Sequence, residues 1–319
     1  MCYTFVKKSN YELELISEIP LSRSYEKGNK MTQTHLISVL MPVYNTKEEY
    51  LRVSIESILN QTFKDFEFII VNDGSTNNAE EVILSYKDDR IKYFKQENQG
   101  IVVALNNAWA KASGKYFARM DSDDIAYPER FAKQVKFLEE NLEYSLVGSW
   151  AKIIPSNNII KLPQDIEVMD LLADCMFVHP SIMFRKADFE KFNICYESDF
   201  DYVEDYCFYA RAIKCLKMTN LQEVFLDYRV YPENSSTKNR DVRIKNSFRV
   251  QDLILESLSG DKKLQEKILD LAYLKKRKKS KFAESIFSVK NLYKNWTKYK
   301  LVTVLGMEIL LKVREYKSE

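Results

Sequence analysis

The chain has 319 residues, 45% hydrophobic and 13% aromatic, enough to bury a core in one large domain or two moderate ones, and this excludes a disordered chain. Its 48 Lys and Arg against 46 Asp and Glu leave a formal charge of +2, which argues against a nucleic-acid partner because phosphate neutralisation demands a strong basic surplus. Five cysteines without Cys-x-x-Cys spacing, and only His35 and His179 besides, speak against a structural zinc site or a disulfide scaffold and for reduced thiols.

Residues 1–34 show no strong periodicity and read as an N-terminal extension. A repeating pattern follows: strand 36–43, helix 47–61, strand 66–72, helix 77–86, strand 91–95, helix 101–112 and strand 115–120. Pro128 opens a further helix to residue 141, and a strand over 145–154 follows. Short apolar runs alternating with amphipathic helices predict an α/β domain over 35–235, with a mainly parallel sheet covered on both faces. From about Asp241 the chain reads as helices, giving a helical C-terminal region over 236–319. Residues 261–319 hold 16 Lys or Arg against 7 Asp or Glu, and the stretch 275–281, KKRKKSK, is densely cationic.

Open sheets of this kind bind ligands beyond the carboxyl ends of their strands. The four predicted ends carry Pro42, Tyr44 and Asn45; then Asn72, Asp73, Gly74 and Ser75; then Asn98 and Gly100; then Asp121, Ser122, Asp123 and Asp124. Each group alone is ordinary turn chemistry. Their agreement on one edge points to a ligand. Neither a G-x-G-x-x-G nor a P-loop pattern occurs, so a Gly-rich phosphate cradle is excluded. The carboxylates of DSDD suit instead a hard cation such as Mg²⁺ or Mn²⁺ that completes its shell with phosphate oxygens.

Taken in order, ISVLMPVYN, IIVNDGST, ENQG and RMDSDD resemble the first half of the family-2 glycosyltransferases with the GT-A fold, over about residues 36–235. The resemblance implies transfer from a nucleotide-diphosphate sugar, by default a UDP-sugar, with inversion at the anomeric carbon. Pro42, Tyr44 and Asp73 then line the base pocket, Tyr44 stacking and Asp73 accepting from the base edge. Asn45, Gly74, Ser75, Asn98, Gly100 and Ser122 belong to the same nucleotide-binding rim. Asp121 holds the ribose and Asp123 the metal.

Inverting transfer needs a carboxylate that takes the acceptor proton. The acidic stretch 197–214 supplies Asp201 and Glu204, which stand at capping-box spacing, and Asp205 beside them. VEDYCFYARAI resembles the family segment whose Asp is the base, which assigns that role to Asp205 and places Glu204 near the acceptor. FVHPSIMFR resembles another acceptor-side segment and adds His179. Many relatives carry a histidine ligand where this chain has Tyr231, a poor donor to a hard cation.

The activity implied is that of a hexosyl- or N-acetylhexosaminyl-transferase acting on a glycan or lipid-linked acceptor in surface polysaccharide synthesis. A metal-dependent nucleotidyltransferase and a non-catalytic sugar-nucleotide scaffold are the rivals. The first wants a basic, Gly-rich triphosphate loop that MPVYNTKEEY does not provide; hydrolysis of a donor would separate the second. No apolar stretch approaches the roughly 20 residues of a membrane span, and no secretory signal is visible. The expected location is cytoplasmic, with residues 275–281, Tyr293, Trp296 and Tyr299 available to dock on an anionic leaflet.

Overall fold

A computed structural model describes residues 3–9, 12–18, 35–231, 239–260, 262–278, 287–294, 297–304 and 307–315. Strands β1 (Tyr3–Ser9) and β2 (Glu12–Glu18) pair with each other, antiparallel, within the predicted extension. The main sheet is built from β3 (Ile37–Val43), β4 (Phe66–Asp73), β5 (Ile91–Gln96), β6 (Tyr116–Arg119), β7 (Ile125–Ala126), β8 (Tyr144–Ile154), β9 (Ile159–Ile160), β10 (Met183–Arg185) and β11 (Lys217–Arg229). Its order is β5-β4-β3-β6-β10-β8-β11-β7, with β9 on β8. The first four strands of that order are parallel, while β10 runs antiparallel to both neighbours and β11 parallel to β8. The strand order reverses at β3, between β4 and β6, where such sheets hold ligands.

The period-two pattern of the strands makes this sheet two-sided. In β3 and β4, Leu40, Ile69 and Val71 face one core with α3 (Ile101–Lys111), α7 (Glu204–Ala212) and α8 (Arg240–Leu258). Val39, Met41, Phe68 and Ile70 face the other, with α1 (Glu48–Leu59), α2 (Ala79–Leu84) and α4 (Arg130–Glu140). Both strands are buried along their whole length, as a sheet covered on both faces requires. Two short helices, α5 (Val168–Ala173) and α6 (Lys186–Lys191), complete the first core.

The C-terminal region departs from the expectation. Helices α8 and α9 (Lys262–Lys278) are present, but the helices predicted beyond them are replaced by β12 (Phe287–Lys294), β13 (Thr297–Val304) and β14 (Met307–Glu315), an antiparallel sheet. The segment LVTVLGMEILLKV is rich in β-branched residues and is broken by Gly306, and both features favour strands over a helix. Residues 279–281 and Trp296 of the predicted docking surface lie outside the described residues.

Candidate active site

The rim at the ends of β3 and β4 is locked by its own polar groups. Asn45, held at φ 50°, accepts from the Thr76 amide at 2.8 Å, while its own amide donates to Ser75 Oγ at 3.0 Å. Asn72 Oδ1 accepts from the Ser75 amide at 2.9 Å, and the Thr46 and Ser122 hydroxyls share a 2.6 Å bond that ties the β3 end to the acidic loop. Gly74 has φ +69°, and a Cβ there would fall 2.6 Å from the Asn98 nitrogen, so this turn admits only glycine. Asn45, Ser75 and Ser122 thus tie the ends of β3 and β4 and the acidic loop together.

Asp73 is 3% exposed and already occupied: Oδ1 accepts from Gln96 Nε2 at 2.8 Å and the Gln99 amide at 2.9 Å, and Oδ2 from the Gly100 amide at 2.9 Å. Of the about four lone-pair sites of a carboxylate, one on Oδ2 is left open. Gly100, at φ +88°, is the N-cap of α3. Pro42 is buried within β3, whereas Tyr44 is 54% exposed at its end, a free aromatic face.

Asp121, Asp123 and Asp124 present carboxylate oxygens that all lie within 4.8 Å of one another. Asp73, two strands away, stands apart from this trio. Asp121 forms an ion pair with Arg119, whose side chain is 2% exposed. Asp123 Oδ2 accepts from Tyr231 Oη at 2.9 Å, so this phenol holds the carboxylate. Asp124 Oδ1 accepts from the Arg229 amide at 2.8 Å, and its buried Oδ2 has no hydrogen-bond partner among the described residues. Burial first, and then the Asp121 charge, hold Asp123 up at about 6; burial and both neighbouring carboxylates push Asp124 well above its ordinary range. Hard oxygen donors gathered within 4.8 Å and an orphaned buried oxygen fit a divalent cation.

Asp205 and Glu204 open α7 within electrostatic reach of the trio, since the Asp121 charge acts on both. Burial raises the half-buried phenol of Tyr228, and the charges of Asp121, Asp124, Asp123 and Asp205 raise it further. Burial also raises Asp205 itself, against a bond from the Tyr206 amide to Oδ1 at 2.7 Å and the opposing charge of Arg119. Glu204 is 8% exposed; burial, then Asp205, hold it at about 7, and its Oε2 is orphaned. The predicted capping box is not formed. Helix α7 begins at Glu204 with Val203 as N-cap, so Glu204 and Asp205 both occupy its first turn. His179 is buried and shares a 2.8 Å bond with Tyr196 Oη, and burial followed by the Arg119 charge keeps it neutral.

Three cations escaped sequence reasoning. Arg119 belongs to the apolar strand β6, Arg130 opens α4 fully buried, and Arg229 ends β11. Arg130 Nη2 donates to the carbonyls of Arg119 at 2.8 Å and Ile182 at 3.1 Å. Arg229 Nε donates to the Asp123 carbonyl at 2.7 Å, and its guanidinium lies 4.1 Å from the centre of the Tyr50 ring. The available signal was the Arg that opens RMDSDD and interrupts a run that is otherwise apolar.

An uncharacterized glycosyltransferase of Methanocaldococcus jannaschii is 41% identical over 207 residues, covering 61% of this chain and 71% of the relative. One from Haemophilus influenzae is 32% identical, covering 65% and 69%. Among solved structures, S. aureus TarS (1–349) in complex with UDP-GlcNAc aligns with a TM-score of 0.62 at 18% identity, over 79% of this chain and 75% of that one. The mannosyltransferase PcManGT of Pyrobaculum calidifontis, in complex with GDP-Man and Mn²⁺, aligns at 0.53 and 15%, over 79% and 78%. These likenesses show the GT-A fold. Residues 38–215, more than half of the chain, match the family described as Glycosyl transferase family 2, and the chain belongs to that family.

Proposed function

We propose that this glycosyltransferase moves a sugar from a nucleotide diphosphate, UDP by default, to the hydroxyl of a glycan or lipid-linked acceptor, with inversion. The observation that carries the reading is the carboxylate trio Asp121, Asp123 and Asp124, its oxygens within 4.8 Å of one another at the end of β6, beside the reversal point of the sheet; the Asp121 charge reaches Asp205 in the first turn of α7. Asp205 takes the acceptor proton as the hydroxyl oxygen attacks the anomeric carbon from the face opposite the diphosphate. The bond to the diphosphate breaks, and the leaving group carries away the electron pair. Tyr44 stacks on the base, Asp73 accepts from its edge and Asp121 holds the ribose. Mg²⁺ or Mn²⁺ held through Asp123 supplies neutralisation of the leaving diphosphate. The UDP-GlcNAc bound by TarS supports a UDP-sugar donor, and the Mn²⁺ bound with PcManGT supports the metal.

No described helix is long and apolar enough to cross a membrane, and the tail's excess of lysine and arginine supports cytoplasmic docking on an anionic leaflet. Sedimentation with anionic and neutral vesicles tests that docking, and equal binding to both removes it. The activity is tested by thermal-shift screening against nucleotide sugars with and without Mn²⁺, then by donor turnover. Asp205→Asn should keep donor affinity and lose transfer by at least about a hundredfold. Asp123→Ala should abolish metal-dependent turnover. Undiminished turnover in either variant refutes that residue's role, and a wild type that binds but never cleaves a donor is a scaffold.

A further inference from the structure

Arg119 is the least expected group in the site, because a strand that is otherwise apolar buries a full positive charge. Burying a charge is tolerated only when it is paired, and the pair here is Asp121, two residues on. The pairing is rigid. The Arg119 amide donates to the Ile182 carbonyl at 3.1 Å, its carbonyl accepts from Arg130, and the Asp121 carbonyl accepts from Ser54 Oγ at 2.7 Å. Yet the guanidinium is not used up, since its Nε is buried without a hydrogen-bond partner among the described residues. Burial is the main influence on Glu204, Asp205, His179 and Tyr196, and the Arg119 charge also acts on each of them. Glu204 Oε2 is likewise buried and unpartnered.

We propose that Arg119 is a positioning residue, a buried strut whose guanidinium pins Asp121 on the donor side of the site. The proposal rests on the functional reading above and adds to it the group that fixes the carboxylate assigned to the ribose. Arg130, hydrogen-bonded to the Arg119 carbonyl, braces the strut from below. A lysine keeps the charge but loses the planar fork, and a methionine keeps the bulk but loses the charge.

The experiment is steady-state kinetics of Arg119→Lys and Arg119→Met beside the wild type, with UDP-sugar as the varied substrate and thermal midpoints recorded. A residue that only supports folding lowers the active fraction, which reduces apparent kcat and leaves KM alone. The strut moves both, because Asp121 loses its anchor. Arg119→Lys should lower kcat by about tenfold and raise donor KM by about threefold, and Arg119→Met should lower kcat by about a hundredfold, in the range seen when supporting residues are removed. Arg119→Lys with wild-type kcat and KM, or with kcat lowered and KM unchanged, overturns the proposal, and it decides the matter alone if Arg119→Met does not fold. Absence of turnover by the wild type removes the functional reading itself; turnover by the wild type matched by Arg119→Lys removes only the strut.

Discussion

Glu204→Gln should make the protein more stable as the pH rises, which is the reverse of what removing a buried charged partner usually does. Glu204 sits in the first turn of α7 with one oxygen orphaned, and burial, then Asp205, hold its carboxyl near 7 against an ordinary 4.5. The folded state therefore binds a proton that the unfolded state has released between those two values. Stability must fall with pH across that window. The gap of about 2.5 pH units, at ~1.4 kcal/mol each, amounts to about 3 kcal/mol lost by the wild type between pH 4.5 and pH 8. Glutamine cannot titrate, so the variant is spared that loss, although its buried amide brings a constant cost of about 1–3 kcal/mol at all pH values. The quantity to measure is the difference in urea unfolding free energy between variant and wild type, taken at pH 4.5 and pH 8 in EDTA. It should rise by about 2–3 kcal/mol in favour of the variant. A difference that stays flat across the window refutes the argument, because Glu204 would then be as well solvated or as well paired in the folded state as in the unfolded one.

Three further outcomes follow from the same coordinates. Gly74→Ala puts a Cβ 2.6 Å from the Asn98 nitrogen at φ +69°, so it should cost at least about 2 kcal/mol in urea unfolding and weaken nucleotide binding; an unchanged midpoint contradicts the turn geometry. Glu67, buried at the opposite end of β4, would be raised by burial, but the Lys92 ammonium at 2.8 Å and donors from Ser38 and Ser113 outweigh this and hold it down at about 2. Its depressed carboxyl contributes about 3 kcal/mol that is present above pH 4.5 and lost as pH falls toward 2; Glu67→Gln should therefore match the wild type at pH 2 and trail it at pH 7. Tyr231→Phe removes the 2.9 Å bond to Asp123 Oδ2 and should weaken Mn²⁺ activation by about tenfold, read from a Mn²⁺ titration of turnover; an identical titration curve denies Tyr231 that supporting part.

The sheet and its covering helices were legible because their signals are local. Within β3 and β4, Val39–Val43 and Phe68–Val71 are continuous apolar runs of the kind a strand buried on both faces carries, and α4 was announced by Pro128 ahead of its apolar stripe. The C-terminal strands were misread because Leu301–Val313 satisfies helical spacing and alternation about equally, and the reading weighted the first over β-branching. The carboxylates of the site were legible for a related reason. Turn residues at strand ends reveal their location by chain order alone, whereas Asp201 and Glu204 satisfied a capping pattern that the helix did not use.

What composition and spacing do not convey is charge compensation, which depends on side chains from distant elements meeting in three dimensions. DSDD reads as an unbalanced cluster, yet Arg119 from the preceding strand, the Arg229 amide from β11 and the Tyr231 phenol each take one of its carboxylates. These partners do not satisfy every oxygen. Burial first, and neighbouring carboxylates after it, raise Asp123, Asp124 and Glu204, and burial raises Asp205, while Asp124 Oδ2 and Glu204 Oε2 have no hydrogen-bond partner among the described residues. The arginine and the metal of the proposed function would therefore not compete: Arg119 pairs with Asp121 from inside the sheet, and the unpartnered Asp124 Oδ2 in the same trio is left as a donor for a divalent cation.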